Sequence, residues 1–166
     1  MPDGRRAKGA ARRRALLDAT LRVVGRDGVA AVSQRTVAAE ADVPPSAVLY
    51  YFTSVDDLLV TTLREVNDRY CAELTELPSV EALAAHVAAL DPAALVAEYE
   101  LWLLAARRPD LRSELTRWDA TVDALAARLA PDRAETVAAA LNGLYLRAAT
   151  TGVDAEAALR VLRTQD

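Results

Sequence analysis

The stretch V-P-P-S-A-V-L-Y-Y-F-T-S, residues 43–54, places three aromatic side chains side by side. Phe52 is the only phenylalanine of the chain, and Tyr50 and Tyr51 are two of its five tyrosines. On a helix, consecutive positions point in directions that cover about two thirds of the circumference, so at least one of the three must leave the core. An outward phenol can donate a hydrogen bond to a phosphate. The first fourteen residues supply the matching charge: Arg5, Arg6, Lys8, Arg12, Arg13 and Arg14 stand against a single acid, Asp3. Catalytic chemistry finds no comparable set. One histidine, His86, and one cysteine, Cys71, leave no triad, no Cys-based zinc pattern and no internal disulfide. Glu98 and Glu100 lie on opposite sides of their helix and do not form an acid/base pair. No glycine-rich phosphate loop is present. The expectation is a protein that is not an enzyme and holds no metal and no cofactor.

Charge is divided along the chain. The net value is −4, yet residues 1–53 carry nine Lys/Arg against five Asp/Glu, and the remainder is acidic. A basic head on an acidic body points to a polyanion at one end. Apolar content of 52% and charged content of 27% describe a globular chain of 166 residues. No apolar run approaches the ~20 residues that cross a bilayer, and no signal peptide is visible. A single thiol fits a reducing cytoplasm.

The elements that must position these residues read as all-α, because no segment shows sustained strand alternation or a hairpin turn. A basic arm, residues 1–9, is expected to be disordered. Helices are expected over about 10–25, from just after the N-cap Ser33 to Asp42-Val43, over 45–52 and over 55–75. Ser54 should cap the last of these, with Asp57 completing a weak capping box. Pro78-Ser79 marks a domain boundary. Beyond it, helices are expected over 80–90, 92–107 (apolar nearly all round, hence central and buried), 110–130, 133–150 and 155–165. Asp91 should cap the second of these, Pro131-Asp132 with Glu135 in a capping box the fourth, and Asp154 the last. The partition is an arm at 1–9, a helix-turn-helix domain at 10–54, a connecting helix at 55–77 and a regulatory and dimerisation domain at 78–166.

Residues 33–52 have helix-turn-helix spacing, in which the second helix enters a major groove. Ser33 to Leu59, S-Q-R-T-V-A-A-E-A-D-V-P-P-S-A-V-L-Y-Y-F-T-S-V-D-D-L-L, resembles the DNA-binding region of the TetR family of bacterial transcriptional regulators. The resemblance covers about 12–66, and is looser over E-L-W-L-L-A-A-R-R-P-D-L-R-S-E-L and N-G-L-Y-L-R-A-A-T in the C-terminal half. It implies a three-helix DNA-binding domain joined to a helical ligand-binding and dimerisation domain, about nine helices in all. It also implies a homodimer on a palindromic double-stranded operator, most simply a repressor, released by a small hydrophobic effector. By the same resemblance, Val48 and Phe52 lock the recognition helix inward and Tyr50 reaches a phosphate, with Arg35 and Thr53 adding backbone contacts. The expected DNA-binding set is Arg12, Arg13, Arg35, Pro45, Ser46, Ala47, Tyr50, Tyr51 and Thr53.

Four positions depart from the family pattern. Asp42 stands for the turn glycine, Pro44 for a capping serine, Tyr51 for a histidine, and Val55 for a phosphate-contacting lysine. The recognition helix also lacks Arg, Lys, Asn and Gln, the side chains of bidentate base contacts. Ser46 offers one hydrogen bond and Ala47 a surface for a thymine methyl. Positioning contacts should therefore outnumber base contacts. These departures keep open a second reading, a helical binding or scaffold protein that retains the fold without specific DNA binding.

In the C-terminal half, Tyr70, His86, Tyr99, Trp102, Trp118 and Tyr145 are candidates for an effector pocket, although aromatics at helical spacing also build ordinary cores. Cys71 reads as a small buried hydrophobe. Stripes of Val137, Leu141, Leu144 and Ala148 on one helix, and of Leu159 and Leu162 on the next, would suit a four-helix dimer interface, unless one of them faces its own core.

Overall fold

The computed structural model describes residues 3–163, with side chains from Arg6 onward. The first two positions of the expected arm, the Arg5 side chain and the last two positions assigned to the final helix lie outside the described residues. Nine α-helices and no strand occur among the described residues: α1 (Asp3–Asp27), α2 (Gln34–Glu40), α3 (Pro45–Tyr51), α4 (Val55–Glu76), α5 (Val80–Ala88), α6 (Pro92–Ala106), α7 (Arg112–Leu129), α8 (Ala134–Thr150) and α9 (Ala155–Arg163).

Caps explain most boundaries. The Ser33 hydroxyl accepts the Thr36 amide at 3.1 Å, and the Thr36 hydroxyl accepts the Ser33 amide at 2.9 Å, a reciprocal box that starts α2. Ser54 caps α4 through the Asp57 amide at 2.9 Å. Asp91 and Asp154 cap α6 and α9 in the same way. At the end of α2, Val43 donates to the Ala38 carbonyl at 2.9 Å while Asp42 sits at φ 52°, the left-handed residue of a Schellman exit. The aspartate thus adopts the turn conformation that its position demands.

Three expected local features differ. The helical conformation of α1 reaches back to Asp3, into the stretch expected to be disordered. Ala, Arg and Lys favour helix, and the packed turns at Leu16 and Leu17 already meet the cost of nucleation. Asp57 does not complete a capping box with Ser54. Its carboxylate accepts the Thr53 amide at 2.8 Å and the Thr53 hydroxyl at 3.1 Å instead. No side-chain cap from Glu135 starts α8, which is entered through a 3-10 turn at Pro131–Arg133.

Two cores meet along α6. The first joins Leu16, Leu17, Val23, Val37, Val48, Phe52, Leu58 and Leu63 to Ala97, Leu101 and Ala105 of α6. The second joins Val66, Tyr70 and Leu74 of α4 to Leu95 of α6, Trp118 and Val122 of α7, and Leu141, Leu144 and Tyr145 of α8. Gly25 permits the close approach of α1 to α6, because a Cβ there would lie 2.6 Å from the Ala93 carbonyl oxygen. Helix α6 is central, but not buried all round: Leu103 is 60% exposed and Val96 also reaches solvent.

The stripes expected to form a dimer interface face inward. Val137, Leu141, Leu144 and Ala148 of α8, and Leu162 of α9, are buried within the chain's own second core, and Leu159 is packed against it. Their helical spacing recorded burial, which a monomer's core and a subunit interface impose alike. The outward side of α8 carries Ala139, Gly143, Leu146 and Thr150 at helical spacing. Among the described residues no single helix is long and apolar enough to cross a membrane.

Candidate nucleic-acid interface and effector cavity

The recognition helix α3 divides its aromatics by direction. Phe52, 2% exposed, and Val48 lie in the first core, and the Phe52 amide closes the helix on the Val48 carbonyl at 2.9 Å. Tyr50 is 81% exposed, and Tyr51 is half-buried with its ring 4.9 Å from that of Tyr50, edge to face. A shallow surface groove joins this pair to Arg6, Lys8, Gly9, Ala11 and Arg12 of α1. Basic side chains and exposed phenols therefore meet on one face, an arrangement suited to a phosphate backbone. Pro45 and Ser46 are exposed at the start of α3, Ala47 is half-buried, and Arg35 is exposed on α2.

Other expected contacts change character. The guanidinium of Arg13 lies 5.5 Å from the Phe52 ring centroid, so this arginine packs on the helix end rather than standing free in solvent. The Thr53 hydroxyl is held by Asp57, leaving it no spare proton for a phosphate in this arrangement. The acids after Val55 are also engaged: Asp57 binds Thr53, and Asp56 pairs with Arg108. Arg22 and Arg26 are bound to Glu40 at 2.7 and 2.8 Å and add little to the DNA-facing charge. Leu49, 53% exposed on α3, escaped the sequence reading. Its only sequence signal was position, one residue before the outward Tyr50.

Deeper in the molecule, a small cavity with about 60 Å³ of enclosed space, opening into a wider mouth, is lined by Val66, Asn67 and Tyr70 of α4, by Leu95, Glu98, Tyr99 and Trp102 of α6, and by Trp118, Asn142 and Tyr145. Five of the six aromatic candidates line it. His86 stands behind the wall, 3.3 Å from the Tyr145 hydroxyl, and burial lowers its pKa. The rings pack edge to face, with Trp118 5.5 Å from both Trp102 and Tyr145.

The polar members of the wall were not anticipated. Glu98 is 8% exposed, and its Oε1 is buried without a hydrogen-bond partner among the described residues. Arg69 Nη2 lies 3.7 Å from that oxygen, an ion pair too long to count as a hydrogen bond. Burial pushes the Glu98 carboxyl up to about 7, against the opposing pull of the Tyr70 hydroxyl and Arg69. Asn67 donates to the Glu114 carbonyl at 2.9 Å, and Tyr99 donates to the Asn142 carbonyl at 3.4 Å. Cys71 is half-buried and accepts from Thr121 at 3.3 Å. A signal for Glu98 was present in the sequence: it falls one turn from Leu95 and from Leu101-Trp102, on the buried stripe. Its pairing with Glu100 is indeed absent. Glu100 instead accepts the Val29 amide at 2.6 Å, tying α6 to the turn after α1.

Two helices connect the cavity to the elements that carry the basic, tyrosine-bearing face. Helix α4 starts three residues after α3 ends and reaches the cavity at Val66. Helix α6 lines the cavity on one side and packs on α1 with the other. The sequence matches two family models, that of bacterial regulatory proteins of the tetR family over residues 16–62, and that of the tetracyclin repressor-like C-terminal domain over residues 76–165. The HTH-type nicotine-responsive transcriptional repressor HdnoR of Paenarthrobacter nicotinovorans is 30% identical over 143 residues, 77% of this chain and 74% of that protein. A TetR family structure from Streptomyces coelicolor A3 superposes with a TM-score of 0.73 at 38% identity, covering 91% of this chain and 95% of that one. The multidrug binding protein EbrR complexed with ethidium superposes with a TM-score of 0.67 at 39% identity, again over 91% and 95%.

Proposed function

Because the chain belongs to the TetR family of bacterial transcriptional regulators, we propose that it is a repressor that binds a palindromic operator as a homodimer and leaves it when a small molecule fills the aromatic cavity. The observation that carries this reading is the double duty of α4 and α6, each of which lines the cavity and supports the DNA-facing core. An effector that moves either helix alters the spacing of two recognition helices, which a palindrome requires to be about one helical turn of DNA apart. Operator binding places the protein with DNA in the cytoplasm.

In the bound state, Tyr50 and Arg12 hold phosphates, Arg35 and Tyr51 add contacts along the backbone, and Ser46 with Ala47 faces base edges. Leu49 adds an apolar surface suited to thymine methyl groups. Few of these groups discriminate bases, so the operator is read in part through its shape. The two copies meet through the outward stripe of α8, with Leu146 as its large apolar member, 52% exposed in the single chain.

Selection of bound sites from random DNA, followed by salt titration, tests the reading. A defined palindromic site should emerge. Tyr50→Phe should weaken binding to it by about tenfold to a hundredfold, the loss of one hydrogen bond to a charged group. Arg12→Ala should shallow the salt slope by about one unit. Binding that is indifferent to sequence and no tighter than about 10⁻⁵ M would favour the scaffold reading instead.

A further inference from the structure

Resting on the reading of the aromatic cavity as the effector site, we propose that its ligand is a hydrophobic organic monocation that takes the place of the Arg69 guanidinium on Glu98. The wall selects charge by what it offers and by what it withholds. Glu98 lines the cavity, and its Oε1 is buried with no hydrogen-bond partner among the described residues. A buried carboxylate held only by a long ion pair is costly, and a cation brought closer beside it recovers part of that cost. The remaining surface is dominated by Tyr70, Tyr99, Trp102, Trp118 and Tyr145, whose ring faces attract cations and whose area suits a flat or apolar body.

Other ligand charges are poorly served. Among the described residues, no Lys or Arg lines the cavity. The Asn67 amide and the Tyr99 hydroxyl, which could have donated to an anion, are committed to the Glu114 and Asn142 carbonyls. Among the described residues, Glu98 is the one carboxylate on the wall, which sets the preference at a single positive charge.

The position of the charge is marked by the protein's own cation. Arg69 pairs with Glu98 Oε1 at 3.7 Å, and its guanidinium lies 5.3 Å from the Tyr70 ring centroid. It thus occupies a corner made of one carboxylate and one aromatic face. The hold is loose, since the Arg69 side chain is nearly half exposed and too far from the oxygen for a hydrogen bond. A ligand that brings its own cation deeper, among five rings instead of one, competes favourably for Glu98. Arg69 belongs to α4, the helix that follows the recognition helix, and Glu98 belongs to α6. Exchange of one cation for the other therefore unties α4 from α6.

The test compares N-methylacridinium, a fixed cation, with acridine, its neutral counterpart at pH 8. Binding to the full chain is read by quenching of Trp102 and Trp118, and operator release by fluorescence anisotropy of labelled DNA. The wild type should prefer the cation by on the order of tenfold. Glu98→Gln should abolish that preference while leaving acridine affinity within about twofold, and Arg69→Ala should tighten the cation several-fold without affecting acridine. Equal affinities in the wild type, unchanged in Glu98→Gln, would overturn the proposal, as would weaker cation binding in Arg69→Ala or quenching by neither dye. If acridine alone binds and releases DNA, the effector site stands and the charge preference falls. If the cation behaves as expected but operator binding persists, the charge preference stands and the effector role falls.

Discussion

At the scale of single residues, the chemistry of this chain turns on which side chains are denied a partner. Glu98 is the clearest case, because an acid in an aromatic wall is an expense to folding unless something binds it. Its pKa is raised from 4.5 to about 7, so the folded state holds the proton more tightly than the unfolded state. The stability associated with the neutral acid is complete below about pH 4.5 and is lost as pH rises through about 7, by up to about 3 kcal/mol. Groups facing this carboxyl, Arg69 with opposite charge and Glu73 and Asp91 with like charge, tune that loss but do not change its sign. Glu98→Gln keeps the shape and removes the titration. Its stability relative to the wild type should rise between pH 5 and pH 8, measured by urea unfolding at each pH. A gap that does not change with pH would show that Glu98 is solvated in the folded state. Tyr50 represents the opposite case: 81% exposed, it adds little to folding and is free for a partner outside the chain.

At the scale of elements, the seven-residue α3 is too short to be stable alone and depends on what holds its two ends. Phe52 and Val48 fix one end by burial. The turn from α2 fixes the other, with Asp42 at φ 52° where an L-residue is strained. Asp42→Gly should relieve that strain and stabilise the chain by about 1 kcal/mol, seen as a higher Tm, because glycine occupies this region without a steric penalty. A fall in Tm would mean that the aspartate side chain contributes more than its backbone costs. Much of this geometry was legible beforehand: the Ser33 and Ser54 caps and the Pro44-Pro45 start follow from local rules, and the inward Phe52 is what the family resemblance implied. Asp57 was misread because a carboxylate can serve either of two neighbouring amides, and only the fold of the 53–54 turn decides which one comes within reach.

At the scale of the whole molecule, the partner-facing surfaces are those the core did not claim. The inward stripe of α8 is spent on the chain's own second core, so the homodimer proposed above would have to use the outward stripe. Leu146→Glu should therefore yield a folded monomer by sedimentation, with operator affinity lowered by at least tenfold, since each half-site then binds alone. A dimer that survives this substitution would move the interface to another face. The same scale explains how a cavity and a DNA-binding surface communicate. Helix α6 contacts both cores, and Glu100 fastens it to the turn after α1 at Val29. A ligand that shifts α6 must move that turn or break its hydrogen bond.

What the sequence by itself determined is the order of helices, the helix-turn-helix spacing, the basic head and that three adjacent aromatics cannot all face the core. Each depends on neighbours within a few residues, where helical period, caps and breakers act directly. Five aromatic candidates were also recognisable as a group, yet their convergence on one cavity was not, because α4, α6, α7 and α8 bring them together from positions 70 to 145. Only the tertiary structure decided that Glu98 lies among them with an oxygen that has no hydrogen bond among the described residues, and that Val137, Leu141, Leu144 and Ala148 face their own core. Periodicity records that a face is buried, but not what buries it. That choice depends on contacts between residues far apart in the chain, which no local pattern encodes.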